Sequence, residues 1–168
     1  MQRRAFTGLL LTAASGWSRV AGAASLTRLL FTIARSKNAN VVQYAARLEG
    51  SRLEPAAPID VYWLMLAEDG RREALSWAER KLAYGFVVSK ASADGCGLSL
   101  VAFKERPIQI ERGSGGFRAM AMIAGQRAVL KRIFVQASEG ALLPSVQHLD
   151  VFGTSLDGVS LRERISRR

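Results

Sequence analysis

The sequence predicts an all-β fold, mainly antiparallel: an eight- or nine-stranded sandwich or barrel carrying one short helix. Two observations carry the sheet. Apolar and polar residues alternate in short runs, and Gly, Pro, Asn and Asp separate those runs at close intervals. A third supplies the helix. Ser76-Trp77-Ala78-Glu79 has the spacing in which a hydroxyl and a carboxylate satisfy the free amides of a helix start.

Taken in order, Leu29, Phe31 and Ile33 share one face of a first strand, and Val42, Tyr44, Ala46 and Leu48 one face of a second. The turn Ser36-Lys37-Asn38-Ala39-Asn40 joins them. Glu49-Gly50-Ser51 opens a loop that ends at Pro58. Ile59 to Leu66 is then almost continuously apolar, with Asp60 its single charge, as a central strand covered on both faces would be. In the helix, Ala78 and Leu82 fall on one side and Gly85 ends it; so short a helix must lean on the sheet. Further strands are predicted over Phe86 to Lys90, Leu98 to Lys104, Pro107 to Arg112, Phe117 to Ile123, Arg127 to Ala137 and Val146 to Phe152. Asp94-Gly95, Gly113 to Gly116 and Ala124-Gly125 are the turns between them. The polar, basic tail Arg162 to Arg168 is expected to fray.

Ahead of the first strand the chain has the parts of an export leader. Arg3 and Arg4 are cationic, Phe6 to Ser15 carries no charge, and Ala21-Gly22-Ala23 is a small-residue exit. The order Arg3-Arg4-Ala5-Phe6, with Arg19 late in the segment, is similar to the twin-arginine type. The apolar run is shorter than the roughly 20 residues that cross a bilayer. Residues 1–24 are therefore expected to be a signal peptide and residues 25–168 a single domain, periplasmic or secreted, with no membrane span.

At 49% hydrophobic and 23% charged residues, the composition is that of a folded globular protein. The net charge of +10 falls to +7 when a leader holding Arg3, Arg4 and Arg19 and no acid is removed. That balance suits an anionic envelope component or another envelope protein as partner, and no nucleic-acid motif accompanies it, but the charges are scattered and not gathered in a block, so they read first as a solvated surface. With one cysteine, Cys96, and one histidine, a structural zinc site lacks its ligands, and nothing calls for a cofactor. Cys96 either packs in the core or pairs between chains.

No set of residues makes a convincing catalytic site. His148 and Asp150 share a strand face, but no Gly-x-Ser-x-Gly elbow accompanies them, and a solvated polar face accounts for both. Arg112-Gly113-Ser114-Gly115-Gly116 precedes a strand and not a helix, so it reads as a hairpin turn and not a phosphate loop. Glu68, Asp69 and Glu73 interleave with Arg71 and Arg72, as a surface ion-pair loop does. A recognition surface is better supplied. Arg35, Lys37, Asn38 and Asn40 sit at one turn, and Tyr62-Trp63 and Arg80-Lys81 with Tyr84 offer aromatic bodies beside cations. The aromatics read more readily as core under the helix, since such rings carry most of a small core's burial.

The stretches RSKNANVVQY, PIDVYWLMLAEDGRREALSWAERKLAYGF, VLKRIFVQ and HLDVFG resemble the bacterial domain-of-unknown-function family 4833, from about Leu29 to Glu163. The resemblance implies a small exported or envelope domain and carries over no activity, catalytic set or cofactor. Its signature is expected at Arg35 to Asn40, Tyr62-Trp63 and Glu79 to Gly85. The sequence thus points to a noncatalytic binding or structural module of the envelope that holds an anionic or polar ligand on Arg35, Lys37, Asn38, Asn40, Tyr62, Trp63, Arg80, Lys81 and Tyr84. Two alternatives stay open: a periplasmic hydrolase using carboxylates from Glu68, Asp69, Glu73 or Glu79, and a β-barrel carrier of an apolar ligand. A filled core, a polar cleft or an apolar cavity separates the three.

Overall fold

The computed structural model describes residues 26–138 and 146–166, so the expected leader lies outside the described residues. Among the described residues, twelve strands form one curled, mainly antiparallel sheet, a half-barrel. They are β1 (Leu26–Arg35), β2 (Asn38–Glu49), β3 (Arg52–Leu53), β4 (Ile59–Leu64), β5 (Arg72–Ala74), β6 (Phe86–Ser92), β7 (Gly95–Leu100), β8 (Phe103–Gly113), β9 (Gly116–Ile123), β10 (Gln126–Ala137), β11 (Val146–Ser155) and β12 (Ser160–Ser166). The helix α1 (Trp77–Leu82) lies between β5 and β6. The main path runs β5-β4-β2-β1-β10-β9-β8-β7-β6, and β11 and then β12 continue from the other edge of β10.

β10 is the hinge of this topology. Its first residues pair antiparallel with β9, at Gln126 to Val129, and its later residues pair in parallel with β1, at Arg132 to Val135. One long strand thus serves two arms of sheet that curl toward each other around a common core. That core joins Phe31, Ile33, Val42, Tyr44 and Val61 of one arm to Leu98, Ile110, Ala119 and Ile123 of the other, with Leu130, Ile133 and Val151 between them. The Ala124-Gly125 turn, with φ of 50° and 77°, has the positive dihedrals of a two-residue hairpin that matches strand twist.

The all-β expectation with one short helix is correct, and several finer expectations change. Leu29 does not share the inner face with Phe31 and Ile33. The pairing of β1 with β2 shifts between Leu29 and Phe31, so Leu30 turns inward and Leu29 is left exposed. Ile59 to Leu66 is no central strand: β4 ends at Leu64 and only the three-residue β5 lies beyond it. The residues from Arg162 to Ser166 do not fray but pair with β11 as β12. Asp150 lies on the outer face of β11, away from Leu149 and Val151 in the core, but it is not solvated. It is 3% exposed because Arg162 and Arg164 of β12 fold over it, at 2.8 Å from each. Both arginines hold its carboxyl well below the usual range, Arg164 most strongly. His148 stands 3.7 Å from the same carboxylate.

Cys96 is fully buried on β7, which settles its two readings in favour of packing. Burial pushes its thiol up to about 11. The helix carries the predicted capping box, with Glu79 N–H donating to Ser76 Oγ and Ser76 N–H to Glu79 Oε2. It buries none of its residues, and Leu82 is exposed, so the helix leans on the sheet through a polar contact described below and not through Ala78 and Leu82. Gly85 follows it closely. A Cβ there would sit 1.7 Å from the Arg80 carbonyl oxygen, a place only a glycine can occupy.

Candidate ligand-binding cleft

Period-two alternation puts odd and even residues of a strand on opposite faces, and this divides the predicted recognition residues. Trp63 pairs across from Val42 and faces inward with the core. Tyr62 faces outward, donates its hydroxyl to Gln43 Oε1 at 3.0 Å, and carries the Arg72 guanidinium 4.4 Å above its ring. The adjacent aromatics therefore cannot serve one site. Sequence adjacency had suggested that they could.

On the inner side, Trp63, Tyr84 and Arg35 do come together. The rings of Trp63 and Tyr84 meet edge to face at 5.3 Å. The Trp63 indole donates to Glu79 Oε1 at 3.0 Å, so the same carboxylate caps α1 and fastens it to β4. Burial pushes the Glu79 carboxyl up, but hydrogen bonds from Ser76 and from the indole outweigh that effect and hold it below its ordinary value. Beneath them, the buried Tyr44 hydroxyl donates to the Tyr84 carbonyl at 2.6 Å, while its ring stacks on Phe31 with centroids 4.5 Å apart. The backbone just after α1 is thus pinned from below and its side chains from the side.

These contacts shape one wall of a cleft of about 430 Å³ at the end of the half-barrel. Leu82 to Tyr84 form that wall, the β7–β8 turn from Leu100 to Phe103 adjoins it through the Val101 amide, which donates to the Gly85 carbonyl at 2.8 Å, and Ile33, Ile133, Val135 and Leu149 make the floor. The side chains that line it are mostly apolar, although polar atoms are about as exposed there as apolar ones, and Arg35 is its one charged side chain among the described residues. The Arg35 guanidinium lies near Tyr84, whose hydroxyl is raised above its ordinary value chiefly by burial, with the guanidinium pulling the other way. Arg35 owes its position to the end of β1. There the pairing shifts again, between Ala34 and Arg35, and Lys37 takes the left-handed φ of 62°. The Ser36 amide donates to Val135 at 2.9 Å and the Ala137 amide to Ser36 Oγ at 3.1 Å, which ties this turn to β10.

The other predicted residues sit elsewhere. Lys37 and Asn38 line a shallower recess with Arg35, Ser36 and Ser138. Asn38 accepts from the Asn40 amide and Asn40 from the Ala67 amide, so both build the loop. Arg80 donates to the Leu75 carbonyl at 3.2 Å, and Lys81 lies 4.8 Å over the exposed Trp77 ring; neither lines the cleft. Glu68 and Glu73 both contact Arg71, and Asp69 accepts from the Arg71 amide. That leaves an arginine among the acids, the ion-pair loop expected of them. Among the described residues no group of three or more metal-ligating side chains occurs, and no helix is long and apolar enough to cross a membrane.

The floor of the cleft escaped the sequence reading. Ile133, Val135 and Ala137 look like any inward row of a strand, and nothing local marks where the core ends and the cleft begins.

A family model described as "Domain of unknown function (DUF4833)" matches residues 31–164, close to the span the resemblance suggested, and the chain belongs to that family. No curated protein and no solved structure matches it.

Proposed function

We propose that this member of the family is a noncatalytic binding module for an amphipathic anion, with the anionic head on Arg35 and the apolar body in the cleft. One observation carries the reading: among the described residues a single charged side chain, Arg35, lines a cleft of about 430 Å³ whose other side chains are mostly apolar, within the size range of small-molecule sites. A purely polar ligand would leave the floor unused. A purely apolar one would force the guanidinium to lose water without compensation. An anionic head on an apolar chain satisfies both, since Arg can hold a carboxylate or phosphate oxygen through paired N–H groups. The carboxylates of the hydrolase alternative are occupied by Arg71 and by Trp63 with Ser76, which favours binding over chemistry.

Calorimetric titration with laurate, dodecanol and acetate tests the assignment. Laurate is expected to bind, acetate to bind negligibly, and Arg35→Gln to weaken laurate by roughly tenfold or more, the worth of a charge-assisted hydrogen bond. The same substitution should leave dodecanol nearly unaffected. Equal affinity of the variant for laurate, or equal binding of laurate and acetate by the native protein, refutes the proposal. We place the module in the envelope because of the leader pattern over residues 1–24; recovery of intact precursor from the cytosol would refute that placement.

A further inference from the structure

The outer face of β10, β11 and β12, on the opposite side of the sheet from the core, carries a second constellation. Strand register sets Arg132, Phe152 and Arg162 side by side across the three strands, and Phe134, Asp150 and Arg164 in the next row. Arg132 lies 4.5 Å and Arg162 5.5 Å from the centre of the Phe152 ring, so two guanidiniums share one aromatic. Asp150 takes Nη2 of Arg162 and both Nε and Nη2 of Arg164. Each guanidinium has five N–H donors, so these bonds orient the arginines and leave further donors directed away from the carboxylate. The two side chains remain 55% and 53% exposed.

A register shift in β10 adds to the charge. Between Leu130 and Arg132 the pairing with β11 skips Lys131, while Leu130 and Ile133 both stay buried, so Lys131 and Arg132 both emerge on the exposed surface. Four cations, Lys131, Arg132, Arg162 and Arg164, thus share this face with one buried acid, which is bonded to Arg162 and Arg164. They stand on an open sheet surface, not in a pocket. A lone anion there would meet few donors and pay its full cost of immobilisation. An array of anions would engage the cations together and repay that cost through multivalency.

We infer that the outer face of β10–β12 docks on the surface of an anionic phospholipid bilayer, with lipid phosphates on Arg132, Arg162 and their neighbours. The complementarity of charge is the argument for this occupant, and the chain's overall excess of cations acts in the same direction. The inference does not depend on the cleft, which lies on the other face.

Co-sedimentation of the full chain with phosphatidylglycerol vesicles, with phosphatidylcholine vesicles as reference, reads the docking. Each cation near such a surface contributes about 1 kcal/mol, or roughly fivefold, so the double variant Arg132→Gln/Arg162→Gln should bind anionic vesicles about thirtyfold more weakly. A charge-matched control, Arg52→Gln/Lys104→Gln, takes the same charge from exposed positions outside this face and should change binding by less than about threefold. Circular dichroism and melting verify that the variants fold. Should Arg162→Gln unsettle β12, Arg132→Gln alone, which breaks no ion pair with Asp150, should still weaken binding about fivefold. Equal loss in the test and control pairs overturns the inference, as does no loss in the test pair. So does tighter binding of a single-stranded oligonucleotide than of vesicles at equal phosphate concentration.

Discussion

Replacing Tyr44 by Phe isolates the contact that holds the cleft wall. Tyr44 is fully buried; its ring stacks on Phe31 and meets Phe86 edge-on at 6.2 Å, and Phe preserves all of that packing. What is lost is the 2.6 Å hydrogen bond to the Tyr84 carbonyl, an acceptor then left in a partly buried place. Leaving such a group unpaired costs about 1–3 kcal/mol. In a domain of roughly 150 residues each kcal/mol lowers the melting temperature by about 2–4 °C, so a fall of roughly 2–12 °C is expected. Differential scanning calorimetry measures it. A second reading comes from alkali. Burial raises the Tyr44 hydroxyl far above its ordinary value of 10.0, so the folded state keeps a proton that the unfolded state releases. Its contribution is intact below pH 10 and declines as the pH rises beyond. Tyr44→Phe should therefore lose stability less steeply than the native chain above that pH, and should weaken laurate binding by loosening Tyr84. A variant that melts within about 1 °C of the native protein, with an unchanged alkaline slope, refutes the view that this hydroxyl pins the wall.

Three further outcomes follow from the same geometry. Asp150→Asn should flatten stability at acid pH. The carboxylate's folded value lies below its ordinary 3.8, so its contribution is present above that pH and is lost as the pH falls below it, and acid titration of the melting temperature will show a smaller decline in the variant. Ser76→Ala removes the helix cap and should cost about 1 kcal/mol, with faster amide exchange in α1 than in β4; equal exchange would mean the cap is dispensable. Cys96 should resist thiol reagents at neutral pH until the chain is unfolded, and a non-reducing gel should show monomer, since the sulfur is buried and its thiol sits at about 11.

Much of the sheet is legible in the sequence because burial on one face leaves a period-two trace. The hairpins of β7 to β10 and the box at Ser76 and Glu79 are local, and their spacing is enough to find them. Three features leave no such trace. The bulge at Leu30 changes which of three successive apolar residues points inward, and all three readings fit the letters equally. β12 looks like a charged tail until Asp150, ten or more residues away, is seen to neutralise its arginines. Tyr62 and Trp63 look like one aromatic unit, though the pleat sends them to opposite faces once β4 is accepted as a strand. In each case the deciding partner is a strand that the local pattern does not identify.

Arg35 illustrates why the cleft is harder to read than the fold. Its turn is fixed by Val135 and Ala137, about a hundred positions further along, and the wall opposite is fixed by Tyr44 from β2. The pairing of β1 with β10 is the parallel one, so it cannot arise from a tight hairpin and must await closure of the intervening chain. Contacts of that range are gained late and together. A cleft built from them exists only in the complete sheet, and its charged residue is positioned by strand order and not by its neighbours in sequence. Loosening β10 should therefore disturb Arg35 before it disturbs the β7–β8 hairpin, whose partners lie close along the chain.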